Sequence, residues 1–265
     1  MKQNGKITLS DFGYEKLSIE TIATCNMACS FCPYPLKEDK TSILSMENIK
    51  RTLDEVDSQD KDFKYVTFDQ FNEPLLDKRI FEIIEYAQDS GFKVLIITNG
   101  LLLNKEKNIN NLLKLKPRVK ISLQVLEDDS LMDARGLNME LQRYLSTIVN
   151  FCNQVKNTDL DVTIDIGCNF NNKDFKFFLK RLLGFSTGDP SVPDKSDLAI
   201  MYMKDFINKL NDNYSSKRLS KISSDYFNSD YLLQDGVKVF ENITIKLKPF
   251  HYGRKIKDFE PINNN

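Results

Sequence analysis

Three cysteines, Cys25, Cys29 and Cys32, fall within the stretch TCNMACSFCPYP at 24–35, and no fourth cysteine follows nearby. Thiols this closely spaced have three chemical readings. A structural zinc ion takes four ligands in a tetrahedron; His251, the sole histidine, could supply the fourth from more than two hundred residues away. An iron–sulfur cubane uses four cysteines when the protein ligates it fully. Three would leave one iron open to an outside ligand, an arrangement suited to binding and activating a cofactor. The third reading is three unrelated loop thiols.

The bulk of the sequence narrows the setting. The chain has 265 residues and a formal net charge of −1, enough to bury a sizeable core and too balanced to attract nucleic acid or acidic membrane. Charged residues are 28% and apolar residues 41%, as in folded soluble proteins. The remaining cysteines are Cys152 and Cys168, and an odd total of five does not suit a disulfide framework. The opening MKQNGKITLSDFGYEK lacks an apolar signal region, and no apolar run approaches the roughly 20 residues of a spanning helix. A cytoplasmic protein without membrane or nucleic-acid partners is expected.

Strands and helices alternate around these residues. Strands are expected at 16–23, 64–69, 92–98, 118–125 and 161–167, with 237–248 as one long strand or a bent pair. The run FKVLIIT at 92–98 reads as buried on both faces. Helices are expected from Ser45, as N-cap, to about Val56, from Asp77 to Ala87 with Gly91 as stop, within 104–115, over 138–156 and over 173–183. The helix at 138–156 carries Leu141, Leu145, Ile148, Val149 and Cys152 on one stripe, so Cys152 reads as packing. Residues 186–236 break the pattern and read as an irregular insertion with one or two helices. Such alternation predicts an α/β fold with a parallel sheet of six strands and right-handed crossovers. Ligands then gather at the C-terminal strand ends, where the cysteine loop lies.

Cys25-Asn-Met-Ala-Cys29-Ser-Phe31-Cys32 resembles the three-cysteine signature of the radical S-adenosylmethionine (radical SAM) enzymes, with Phe31 at its aromatic position. The resemblance covers residues 17 to 250. It implies an open, partial (β/α)6 TIM-like barrel over residues 1–250. It also implies a 4Fe–4S cluster on Cys25, Cys29 and Cys32, with S-adenosylmethionine on the fourth iron. Reduction then splits the cofactor and yields a 5′-deoxyadenosyl radical that takes hydrogen from a substrate, with flavodoxin or ferredoxin as electron donor. Four further places bear on the cofactor. Phe71-Asn72-Glu73-Pro74 stands where relatives carry Gly-Gly-Glu-Pro, which holds the cofactor's amino group; a turn made by Asn and Pro is the plain alternative. Asn99 lies in the TNG that ends the third strand. Ser122, Gln124 and Arg135 resemble the family's ribose- and carboxylate-binding groups. Asn169 follows the fifth strand, near the adenosine.

The wording of CPYP and NEPLLD resembles members with auxiliary-cluster domains of the SPASM or twitch type. Residues 251–265 look like the approach to such a domain, yet no cysteine follows Cys168. Among relatives are peptide maturases and sugar-modifying enzymes. The implied activity is a radical-based modification, such as an oxidation, of a peptide or small-molecule natural product. A zinc-stabilised binding module and a radical-SAM-like scaffold without turnover are the other readings.

Overall fold

The computed structural model describes residues 16–29, 32–60, 63–123, 135–168, 206 and 236–249. Its centre is an open seven-stranded sheet in the order β1-β2-β3-β4-β5-β7-β6. The strands are β1 (Leu17–Ser18), β2 (Tyr65–Thr67), β3 (Lys93–Thr98), β4 (Arg118–Ser122), β5 (Val162–Cys168), β6 (Val237–Phe240) and β7 (Ile243–Pro249). From β1 through β5 to β7 every pairing is parallel, while β6 returns antiparallel on β7. The final segment is thus a hairpin turning at Glu241-Asn242, not a single strand, and the sheet gains one antiparallel edge strand.

Among the described residues four helices of ten residues or more accompany the sheet: α1 (Met46–Gln59), α2 (Ile80–Asp89), α3 (Glu106–Leu115) and α4 (Leu141–Val155). Ser45 caps α1, its hydroxyl accepting from Asn48 N at 3.1 Å. Ile49 and Leu53, four residues apart, are wholly buried; burying each contributes about 1.5–3 kcal/mol before chain entropy is counted. At the end of α2, Gly91 adopts φ +87 and Phe92 N closes back on Ala87 O, a left-handed stop that glycine enters without strain.

In β3 and β4 the buried positions alternate. Val94, Ile96, Val119 and Ile121 pack in the core, while Leu95, Ile97, Lys120 and Ser122 are half-buried on the opposite face. The run at 92–98 is therefore fully buried on one face and half-buried on the other, not buried on both. The first strand is also shorter than its apolar run. After Ile19 N meets Thr67 O, the chain leaves the sheet and pairs with 42–44 instead, through Ala23 N to Ser42 O and Leu44 N to Thr21 O. That departure swings residues 24–29 across the C-terminal ends of the strands. The helix expected at 173–183 and nearly all of the 186–236 insertion lie outside the described residues, as do 251–265. Among the described residues no helix is long and apolar enough to cross a membrane.

Candidate functional site

The cysteine loop is pinned from three sides. Glu73 N donates to Thr24 O at 3.0 Å and Ala28 N donates to Arg135 O at 3.1 Å. Lys37, just past the loop, pairs with Glu20 at 2.6 Å, and the other oxygen of Glu20 accepts from Phe71 N at 3.0 Å. Arg135 and Gly136 approach so closely that a Cβ on Gly136 would lie 2.7 Å from Ala28 Cβ and 2.9 Å from Ala28 O. Gly136 also has φ +64, so both its shape and its backbone call for glycine.

Cys29 is buried and Cys25 and Cys32 are half-buried against the core. Burial pushes all three thiols up. Cys25 reaches about 11, with Glu73 and the other two cysteines adding repulsion to its charged form. Neutral thiols are thus favoured without a metal, and metal binding would release their protons. Two of the sulfurs nevertheless have an N–H beside them. Asn99 Nδ2 is 4.0 Å from Cys25 Sγ and Tyr34 N is 3.4 Å from Cys32 Sγ, while the positive charge of Arg135 opposes the effect of burial on Cys29.

Among the described residues no group of three or more His, Cys, Asp or Glu side chains is placed to hold one metal ion. A cubane asks for something else: each thiolate takes its own iron, so the sulfurs surround a space instead of converging on a point. One buried and two half-buried sulfurs on one loop, the latter two each supplied with an N–H, fit that requirement, since N–H donors stabilise cluster thiolates.

Glu73 is a strut. It is 1% exposed, and its Oε1 accepts from Thr98 Oγ1 at 2.8 Å and Leu75 N at 3.1 Å, its Oε2 from Asn99 N at 2.8 Å. Burial pushes its carboxyl up to about 7 against the pull of these bonds. It joins the 71–74 turn to the end of β3. Pro74 starts a short 3-10 turn, Pro74–Leu76, behind it. Asn72 closes the turn locally, its Oδ1 accepting from Gln70 N at 2.9 Å and its Nδ2 donating to Phe68 O at 3.2 Å. Neither Phe71 nor Asn72 has positive φ, so this turn does not need the glycines that relatives carry there.

Asn99 links two loops: besides approaching Cys25, its Nδ2 donates to Asn26 Oδ1 at 2.7 Å. Arg135 is 2% exposed. Its Nη1 donates to Leu123 O and to Tyr144 Oη, both at 2.9 Å, and its Nη2 to Ser122 O at 3.1 Å. The fork is therefore turned onto the end of β4. Ser122 sits half-buried at the last position of β4, in register with Asp165 of β5, which is in turn in register with Lys246 of β7. The structure thus gathers Cys25, Cys29, Cys32, Glu73, Asn99, Ser122 and Arg135 at one sheet edge. Phe31, Gln124 and Asn169 lie outside the described residues. Cys152 is fully buried and its thiol is pushed up to about 12, as a packing residue should be.

Sequence reasoning missed Tyr144, Thr98, Asn26 and the Glu20–Lys37 pair. Tyr144 is fully buried on α4, and its hydroxyl donates to Asn99 O at 2.5 Å. A tyrosine on the same apolar stripe as Ile148 was its available signal, because a buried phenol needs a polar partner. Thr98, Asn26 and Glu20 depend on loop contacts that carry no periodic mark.

Comparison with known proteins gives the family and a likeness of fold. The sequence profile of the Radical SAM superfamily matches residues 19–182, more than half of the chain. An uncharacterized protein of Methanocaldococcus jannaschii is 37% identical over 90 residues, 34% of this chain and 27% of that protein. SuiB of Streptococcus suis, solved bound to S-adenosylmethionine, is similar in fold with a TM-score of 0.50 at 16% identity, covering 93% of this chain and 53% of SuiB. SuiB bound to its precursor peptide SuiA gives 0.50 at 17% identity, covering 74% and 37%. The matches thus span about a quarter of the curated relative and about half or less of SuiB.

Proposed function

This chain belongs to the Radical SAM superfamily, and we propose that it is an enzyme that modifies a peptide or small-molecule natural product by radical chemistry. In this reading Cys25, Cys29 and Cys32 hold a 4Fe–4S cluster whose fourth iron is left to S-adenosylmethionine. When bound and reduced by a flavodoxin- or ferredoxin-like donor, that pair supplies a 5′-deoxyadenosyl radical for hydrogen abstraction. The protein's part is to position and to exclude water. Glu73 fixes the 71–74 turn against β3, which presents Phe71, Asn72 and Pro74 toward the cofactor's amino group. Asn99 and Ser122 stand at the ends of β3 and β4 for polar contacts to the nucleoside; Phe31, Gln124 and Asn169 are assigned to the same cofactor from the sequence alone. Arg135 holds the end of β4 beneath that site. SuiB's precursor peptide supports a peptide as the substrate class. Dependence on a reduced cluster suits a cytoplasmic setting.

The observation that carries the reading is three clustered cysteines on one short loop, two of them with an N–H donor at the sulfur. Anaerobic purification tests it. A brown protein with about four irons and four sulfides per chain, which cleaves S-adenosylmethionine after reduction, is the expected result. A colourless zinc protein would refute it, and a brown protein that never cleaves the cofactor would favour a scaffold without turnover. Cys29→Ala should abolish cluster and cleavage together.

A further inference from the structure

Ser18 and Glu20 flank Ile19, whose side chain is buried in the core. On an extended chain the two polar side chains therefore leave together on the opposite face, and both reach the turn after β2. Ser18 Oγ donates to Asp69 O. Glu20 Oε1 accepts from Phe71 N at 3.0 Å, while its Oε2 accepts from Lys37 Nζ at 2.6 Å. Four N–H groups of that turn are committed: Gln70 N to Asn72 Oδ1, Phe71 N to Glu20, Glu73 N to Thr24 O and Leu75 N to Glu73 Oε1. The carbonyls of Gln70, Phe71 and Asn72 accept from no donor among the described residues. A trans peptide group is planar, so its N–H and C=O point opposite ways. Anchoring Phe71 N on a carboxylate thus turns Gln70 O away from Glu20. Because φ is negative at Phe71 and Asn72, that orientation comes from what the N–H groups bind, not from glycine conformations.

We infer that Glu20 is a positioning residue for the cofactor: by holding Phe71 N it keeps the adjacent carbonyls of Gln70, Phe71 and Asn72 available to the ammonium of S-adenosylmethionine. The inference rests on the cofactor reading above and names the side chain through which the end of β1 acts on that turn. An ammonium offers donors only, so adjacent acceptors suit it. A turn whose N–H groups are already bound does not present them to the cation. Lys37 steadies the carboxylate from the other side, bonding to Glu20 and, at 3.5 Å, to Ala23 O.

The test is titration of S-adenosylmethionine into the reconstituted, oxidised protein, where no cleavage runs, beside iron per chain. Glu20→Ala should keep its iron and weaken binding by about tenfold or more, as loss of a hydrogen bond to a charged group does. Glu20→Gln, whose amide oxygen can still accept from Phe71 N, should recover most of that loss. The second probe is 5′-methylthioadenosine, which keeps the nucleoside and lacks the ammonium. It should bind Glu20→Ala within about twofold of wild type, since its contacts lie apart from the carbonyls that Glu20 orients. An unchanged affinity for S-adenosylmethionine in Glu20→Ala, or an equal loss for both probes, overturns the inference. So does a Glu20→Gln as weak as Glu20→Ala, because the charge and not the Phe71 bond would then be at work. Should Glu20→Ala fail to fold, Glu20→Asp decides the matter. It keeps the charge beside Lys37 and falls short of Phe71 N, so it should weaken S-adenosylmethionine alone; wild-type affinity overturns the inference. A wild-type protein that binds no S-adenosylmethionine overturns the cofactor reading and the inference with it, whereas binding indifferent to Glu20 overturns the inference alone.

Discussion

Gly136 and Gly91 share a left-handed backbone but not their surroundings, which makes them a controlled pair. At Gly91, φ is +87 and the nearest atom to an added Cβ is the flexible end of Lys64 at 4.0 Å. Gly91→Ala should therefore cost only the conformational penalty, about 1 kcal/mol. At Gly136, φ is +64 and the added methyl would meet Ala28 Cβ at 2.7 Å, Ala28 O at 2.9 Å and Ala28 C at 3.1 Å. Two of those atoms are backbone, so no rotamer change relieves the contact. Either the overpacking persists, at about 1–3 kcal/mol, or the turns separate and the Ala28 N to Arg135 O bond is lost at about 1 kcal/mol. Added to the conformational penalty, Gly136→Ala should cost about 2–4 kcal/mol. The measurement is paired urea unfolding of both variants, with iron per chain after anaerobic reconstitution. Separation of the turns displaces the cysteine loop, so Gly136→Ala should also lose iron while Gly91→Ala keeps it. Equal destabilisation by the two substitutions, or full iron in Gly136→Ala, would refute the argument that Ala28 and Gly136 lock the loop in place.

Other outcomes follow from the same contacts. Thr98 Oγ1 donates to Glu73 and accepts from Gly100 N at 3.1 Å, so the isosteric Thr98→Val should cost about 1–3 kcal/mol; a loss below about 0.3 kcal/mol in urea melts would show that the strut bears nothing. Burial pushes the Asp77 carboxyl up, but hydrogen bonds from the Arg79 side chain and backbone overcome it and hold the carboxyl below its ordinary value. Its folded value is depressed, so its stabilisation is present above the unfolded pKa near 3.8 and fades as pH falls through the native value. Asp77→Asn should flatten the acid limb of stability against pH, and a variant as acid-sensitive as wild type would contradict this. Cys152→Ala, deep in the core, should cost about 1 kcal/mol and leave iron per chain unchanged, in contrast to Cys29→Ala; loss of iron would place a metal where the structure puts packing.

The parts of this fold legible in the sequence are those set by repetition. Strands β2 to β5 fall within a residue or three of their apolar runs, because β-branched residues stacked in parallel register leave a continuous hydrophobic mark. The parts that were not legible are exchanges between loops. KLSIETIA has a strand's composition, yet only Leu17 and Ser18 form β1, because Thr21 and Ala23 find better partners at Leu44 and Ser42. That choice depends on a segment some twenty residues away and leaves no periodic trace. The candidate site divides the same way. The spacing of Cys25, Cys29 and Cys32 is local and could be read directly, as could Glu73-Pro74 and Asn99-Gly100 at strand ends. What each residue touches was not readable. Glu73 turned inward to Thr98 and Asn99, and Arg135 turned to the carbonyls of Ser122 and Leu123 and to Tyr144, because a buried carboxylate and a buried guanidinium each require several partners. Those partners were offered by backbone atoms whose positions exist only once the strands have paired. Tyr144 makes the point most sharply: it joins Arg135 to Asn99 from α4, an element whose sequence announces only a greasy stripe.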